Sequence, residues 1–358
     1  MSLPYRIGLT AVFGCVLLAG CHSFGPEQLR GTHPLYNAAI VDSINGQFLS
    51  NLVRLHYRDP TFFLDVASVA ATVRLGMNGD AGANFDASQS GNIGFGGSYE
   101  IYPTVSYAPL QGEDFVKSLL SPVSIDAVLA LTGSGWSVRR VFALCVESIN
   151  GIANAPTASG PTPAQAPKHY KEWNRLTDLF EQVADDNLIQ ARQDPENKTL
   201  KIEIRSTPEH AAVISELKAM LGLDPRLAVY RVEADAIDRR SDTIHIVTRP
   251  LMGTLFYLSH RIDSPVEDEA AGYVMVTRNP DGSVFDWGDT PAGRIFHVRQ
   301  SDERPNHAFQ AVNFYDRWYY IPNNDLESKS TFLLLTQLFR LQAGAAKSIG
   351  PTLTIPVR

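Results

Sequence analysis

A chain of 358 residues with 44% hydrophobic and 19% charged residues has ample apolar material for a core, and at about 150 residues per domain it fits two domains or one large one. The formal charge of −7 is mild and spread along the chain. No basic stripe of the kind phosphate binding needs is present, which argues against nucleic acid as a partner, and three cysteines are too few for a disulfide framework.

The first element is a leader. Arg6 precedes an apolar run over residues 7–20, the layout of a secretory signal peptide, and the run is shorter than the roughly 20 residues a helix needs to cross the hydrocarbon core. Leu17-Leu18-Ala19-Gly20-Cys21 sets a small-residue pair directly before a cysteine and resembles the bacterial lipobox. That resemblance implies a diacylglycerol on the Cys21 thiol, cleavage between Gly20 and Cys21, and acylation of the new amino group. Several acyl chains on one residue anchor durably, since each buried methylene contributes about 0.8 kcal/mol. His22 stands where lipoproteins retained in the inner membrane carry aspartate, so the expected location is the inner leaflet of the outer membrane, facing the periplasm. With Cys15 removed and Cys21 lipidated, Cys145 has no disulfide partner. In the apolar run Val141-Phe142-Ala143-Leu144-Cys145-Val146 it reads as a small buried hydrophobe.

Residues 21–32 read as a tether and 33–153 as an N-terminal α+β lobe. Helical spacing of Leu35, Ala38, Ile44, Phe48, Leu52 and Leu55 predicts an amphipathic helix over 35–57, stopped by Asp59-Pro60. Residues 62–75 and 98–108 read as two strands of a hairpin-like pair. The stretch 76–97 between them, with seven glycines, reads as a long loop. Helices are predicted over 110–120, 124–131 and 138–149, with Trp136 packing into the core. Residues 154–167, rich in Pro, Ala, Ser and Thr, read as a linker.

The C-terminal α/β lobe is then 168–358. It is expected to open with a helix over 170–191, followed by a strand over 199–205, a helix capped by Thr207-Pro208 and a returning strand over 227–234. A strand over 243–248 and a helix over 251–262 follow. Hairpins are expected across Asn279-Pro280-Asp281-Gly282 and at Asp316-Arg317. A helix starting from Asn324 with Glu327 in a capping-box arrangement and a last strand over 352–357 complete an α+β fold of mixed sheets with flanking helices in two lobes.

The chemistry-bearing residues are sparse. Gly91-Asn92-Ile93-Gly94-Phe95-Gly96-Gly97 lacks the Lys-Ser/Thr of a phosphate loop and precedes a strand, so it reads as a connection. Asn84, Asp86 and Ser88 alternate faintly like a calcium loop, but Gln89 and Phe95 occupy the positions that need glycine and glutamate. Histidines, His245 and His260 among them, show no metal-binding spacing, and Ser134 lacks the elbow of a serine hydrolase. Glu267, Asp268, Glu269, Asp286 and Asp289 read as solvated carboxylates. No metal or cofactor is expected. The aromatic group around Tyr315, Trp318, Tyr319 and Tyr320 reads either as a core cluster across a hairpin or as a platform for glycan or a membrane interface.

Several stretches together, among them His33-Pro34-Leu35-Tyr36-Asn37, Asn51-Leu52-Val53-Arg54-Leu55, Pro109-Leu110-Gln111-Gly112-Glu113, Ser148-Ile149-Asn150-Gly151 and Leu341-Gln342-Ala343-Gly344, resemble a family of proteobacterial lipoproteins without an established activity. The resemblance implies a lipoprotein and supplies no catalytic residue. The expectation is a membrane-anchored envelope protein with a non-enzymatic binding or scaffolding role and an envelope protein as partner. The alternatives are a tethered hydrolase of glycan, peptide or lipid, which a pocket with two close carboxylates or a Ser-His pair would mark, and a glycan-binding protein.

Overall fold

The computed structural model describes residues 26–82, 92–161, 166–168, 170–194, 199–234, 240–344 and 353–356. The architecture is α+β, with helices against three mixed or antiparallel sheets. Helix α1 (Pro26–His56) buries Phe48, Leu49, Leu52, Val53 and Leu55 and stops just ahead of Asp59-Pro60. Strands β1 (Phe63–Gly82) and β2 (Asn92–Leu110) form one antiparallel ribbon, in continuous register except for a bulge between Val66 and Ser68.

Helices α2 (Glu113–Leu120), α3 (Ile125–Gly133) and α4 (Val138–Cys145) lead into the short pair β3 (Val146–Ile149) and β4 (Ile152–Ala153). That pair turns at Asn150 and Gly151, both at positive φ as a two-residue hairpin requires. After a 3₁₀ turn at Pro156–Ser159 come α5 (Tyr170–Asp185), β5 (Ile189–Gln193), β6 (Leu200–Ile204), α6 (Ala211–Met220), β7 (Val229–Ala234) and β8 (Thr243–Thr248). Helices α7 (Leu251–Ser259) and α8 (Val266–Ala271), strands β9 (Arg299–Ser301), β10 (Ala308–Phe314) and β11 (Arg317–Pro322), helix α9 (Leu326–Gly344) and strand β12 (Leu353–Pro356) follow. The largest sheet has the order β4-β3-β8-β7-β6-β5, antiparallel throughout except for β7 beside β8.

Helix α7 is buried on nearly every side, from Leu251 to Ser259, which makes it a core helix and not an amphipathic surface one. It packs against α1, α2, α4, α9 and the 3₁₀ turn. Close approach is possible at Gly253, where an added Cβ would meet Arg249 and Ser159 side-chain atoms at 3.1 Å.

The structure departs from the sequence reading in several places. The six-stranded sheet takes β3 and β4 from before residue 154 and β5 to β8 from after it, so the expected division into two lobes does not hold there. The first part of the expected linker is core: Asn154, Ala155 and Ala158 are fully buried. The glycine-rich stretch is largely strand, because its backbone groups pair across the ribbon from Gly76↔Ser98 to Gly82↔Asn92; Asn84, Asp86 and Ser88 lie outside the described residues.

The helix expected over 138–149 ends at Cys145. There the buried Asn154 amide lies 3.2, 3.0 and 2.7 Å from the carbonyls of Phe142, Ala143 and Val146, satisfying the helix end, and the chain continues as β3 against β8. The helix expected over 170–191 breaks at Asn187, at φ 55, and β5 begins two residues later. The strand, helix and returning strand expected over 199–234 form, as β6, α6 and β7, with β6 and β7 paired antiparallel. Asp325, not Asn324, caps α9, accepting from the Ser328 amide at 3.0 Å. The turn between β10 and β11 falls at Tyr315-Asp316, with φ 47 and 62.

Asn154 also accepts from Tyr257 at 3.2 Å through its side chain, and its backbone carbonyl accepts from the buried Arg249 guanidinium. Asn154→Ala strips this connection from an apolar interior and leaves several buried polar groups unpaired. A loss of about 2–4 kcal/mol in unfolding free energy is expected, read by denaturant titration, with Asn150→Ala as the partly buried comparison at a smaller loss.

Candidate functional site

A cleft of about 550 Å³ opens where the C-terminal end of α1 meets the segment joining α7 to α8 and the 3₁₀ turn at Trp287–Asp289. His56, the last residue of α1, is held between two backbone-distant partners. Its Nδ1 faces the Ser259 carbonyl at 2.9 Å, and since a carbonyl only accepts, Nδ1 carries the proton. Nε2 is then the acceptor for the Ser264 hydroxyl at 2.7 Å. Hydroxyl, imidazole and an orienting acceptor on the far nitrogen are the parts of a nucleophile and its base.

His260 lines the same cleft. Its ring stacks on Trp287 at 4.5 Å and 22°, and its Nε2 donates to the Ala158 carbonyl at 3.2 Å. Asp263 accepts from His297 Nε2 at 2.7 Å, and Arg261 lies 3.8 Å from Asp286. The rim is therefore polar and charged, while Met275, Phe285 and Trp287 supply an apolar wall. Gly293 lets the chain pass Trp287: an added Cβ would sit 1.8 Å from the Trp287 carbonyl oxygen.

The aromatic group splits between core and surface. Tyr319 is fully buried, its hydroxyl 2.6 Å from that of Tyr57, which in turn donates to Asp268. Burial and the Asp268 carboxylate push the Tyr57 hydroxyl well above its ordinary range. Trp318 and Tyr320 are half-buried, with the Arg304 guanidinium 5.3 Å above the Trp318 ring. Tyr315 is 64% exposed and donates to Asp59 at 3.0 Å. It borders a second concavity of about 600 Å³ with Tyr57, Asp59, Asp268, Tyr273 and Arg317. So one of the four expected aromatics faces an open concavity and one belongs wholly to the core.

The remaining sequence-named residues scatter. Gly20 and Cys21 lie outside the described residues. Cys145 is buried, and burial pushes its thiol up to about 12, a range in which the thiolate is not formed at neutral pH. Ser134 caps the end of α3, donating to Leu131 at 2.8 Å. His245 is buried in β8, with neither ring nitrogen hydrogen-bonded. Among the described residues no group of three or more His, Cys, Asp or Glu side chains is placed to hold a metal. Sequence reasoning missed the His56–Ser264 pair, whose members are 208 positions apart with no local motif around either. No family model, curated protein or solved structure matches this chain, and the site rests on its own geometry.

Burial holds both imidazoles neutral, His56 and His260 each brought from 6.5 down to about 4, with nearby His56 lowering His260 further. The folded protein thus takes up protons at these sites less readily than the unfolded chain. Their contribution to stability is complete above about 6.5 and is lost as pH falls toward about 4. Urea unfolding across that window should show stability falling with acidity, and His56→Gln and His260→Gln should each flatten the slope relative to the parent protein.

Proposed function

We propose that the chain is a lipid-anchored protein of the bacterial envelope, tethered through Cys21 in the inner leaflet of the outer membrane and facing the periplasm, with a non-enzymatic role in an assembly. The observation that carries this reading is the β1–β2 ribbon. At about 3.3 Å per residue, a strand of 20 residues extends roughly 65 Å, and two-stranded ribbons are marginal in water by themselves. Among the described residues the ribbon pairs with one further strand, β12, and only at residues 104–107. Long strand edges of this kind call for a partner.

The leader supports the anchor, and the test separates it from ordinary secretion. Labelled palmitate is expected to enter the full-length protein in a didermic host and to be absent from Cys21→Ser, which should leave the membrane fraction for the soluble periplasm. Labelling of both forms alike, or of neither, would count against the anchor.

One observation favours a second reading, a tethered hydrolase of glycan, peptide or lipid: Ser264 as nucleophile and His56 as its base, with Ser259 setting the tautomer. The readings part on one assay. Under the hydrolase reading, purified protein turns over an activated ester, and Ser264→Ala and His56→Ala each lower the rate by about 100-fold or more while circular dichroism shows both variants still folded at the assay temperature. Under the assembly reading all three proteins show the same background rate.

A further inference from the structure

No helix among the described residues is long and apolar enough to cross a membrane; the element with membrane character is the β1–β2 ribbon. Successive strand residues alternate between two faces, and beyond the bulge at Val66/Ser68 the two strands alternate in step. Taken in steps of two, the pairs from Val69↔Val105 to Ala81↔Ile93 contain only Val, Ala, Ile, Leu, Met, Phe, Tyr, Gly and Pro. The intervening pairs, from Ala70↔Thr104 to Gly82↔Asn92, contain Thr72, Asn78 and Ser98 together with every charged residue of residues 69–82 and 92–105: Arg74, Asp80 and Glu100. Arg74 and Glu100 stand directly opposite each other, where unlike charges stabilise a strand pair.

The apolar face has the dimension of a bilayer. From residue 69 to residue 81 a strand rises roughly 40 Å, and at the tilt of about 40° found in barrels this spans roughly 30 Å, the thickness of the hydrocarbon core. Alternation of apolar and polar positions over such a length is the pattern of a strand with lipid on one side and a polar lumen on the other.

A single hairpin cannot stand in lipid, because backbone N–H and C=O groups along its two edges would have no partner, and only closed barrels remove such edges. One ribbon cannot close on itself, and β12 occupies the β2 edge only at residues 104–107. We propose that residues 69–82 and 92–105 form the transmembrane hairpin of an oligomeric β-barrel built from several copies of this chain, odd positions toward lipid and even positions toward a polar channel. This rests on the membrane-anchored reading above and names its partner: further copies of the same chain. With two strands per copy, at least about four copies are needed to reach the smallest closed membrane barrels.

The test uses the full-length protein extracted from membranes in mild detergent and compares Val73→Arg with Thr72→Arg, adjacent positions on opposite faces. The parent protein is expected to run as a ring-sized oligomer and to form stable conductance steps in planar bilayers. Val73→Arg places a charge in lipid and should lower the oligomeric, conducting fraction by about tenfold or more. Thr72→Arg should keep the oligomer and shift the conductance toward anions. Thermal unfolding of the globular body, the same in all three, excludes general misfolding. A chain that is acylated at Cys21 yet monomeric and non-conducting would overturn the barrel and leave the anchor standing. An unacylated chain that still oligomerises and conducts would remove the anchor and leave the barrel. Equal behaviour of the two variants would refute the assignment of faces.

Discussion

A guanidinium with no solvent exposure, that of Arg249, is the point at which several distant segments of this fold meet. Arg249 lies between β8 and α7, its Nη2 donating to the Asn154 carbonyl, its plane 4.2 Å from the centre of the Tyr257 ring, and Glu147 3.7 Å from its Nε. Glu147 also accepts from Ser159, and Asn154 in turn serves the end of α4. A buried charge without such company is costly. The network therefore binds the end of α4, the β3–β4 pair, the 3₁₀ turn and α7 to one another, which explains why a stretch with linker composition is packed inside.

The cleft depends on the same region. The turn held by Glu147 and Arg249 presents Ala158 to His260, and α7 ends at Ser259, whose carbonyl fixes the His56 ring. His56 brings in the end of α1, so three segments far apart in sequence meet at two imidazoles. Because burial keeps those imidazoles neutral, their nitrogens are committed to directional hydrogen bonds: Ser264 on one ring, Ala158 on the other. The ribbon is a different kind of element. The body holds it at its base, where Phe63 joins the core and Leu64 donates its amide to Gln47 at 3.1 Å.

How much was legible follows from how local each signal is. The end of α1 at a proline, the burial of Cys145, and most helices and strands of the second half are set within a few residues, and the sequence reading finds them. The glycines of 76–97 mislead because composition weighs residue types one at a time, whereas the ribbon depends on both strands keeping the same parity across the turn. The helix over 138–149 is overextended for a related reason. Nothing in Val146 to Ile149 opposes a helix; the stop comes from Asn154, eight residues beyond Val146, reaching back to three carbonyls. The aromatic group looks like one unit in sequence, but Trp318, Tyr319 and Tyr320 alternate across a strand, which buries Tyr319 and leaves Trp318 and Tyr320 at partial exposure.

By itself the sequence determined the α+β class and the positions of most elements, which rest on short-range periodicity, capping and composition. Tertiary structure alone decided that one sheet crosses residues 154–161, that Arg249 is buried between Asn154, Tyr257 and Glu147, and that His56 meets Ser264. Those facts depend on which distant segments share a neighbourhood, and backbone chemistry within a window of ten residues carries no record of that choice.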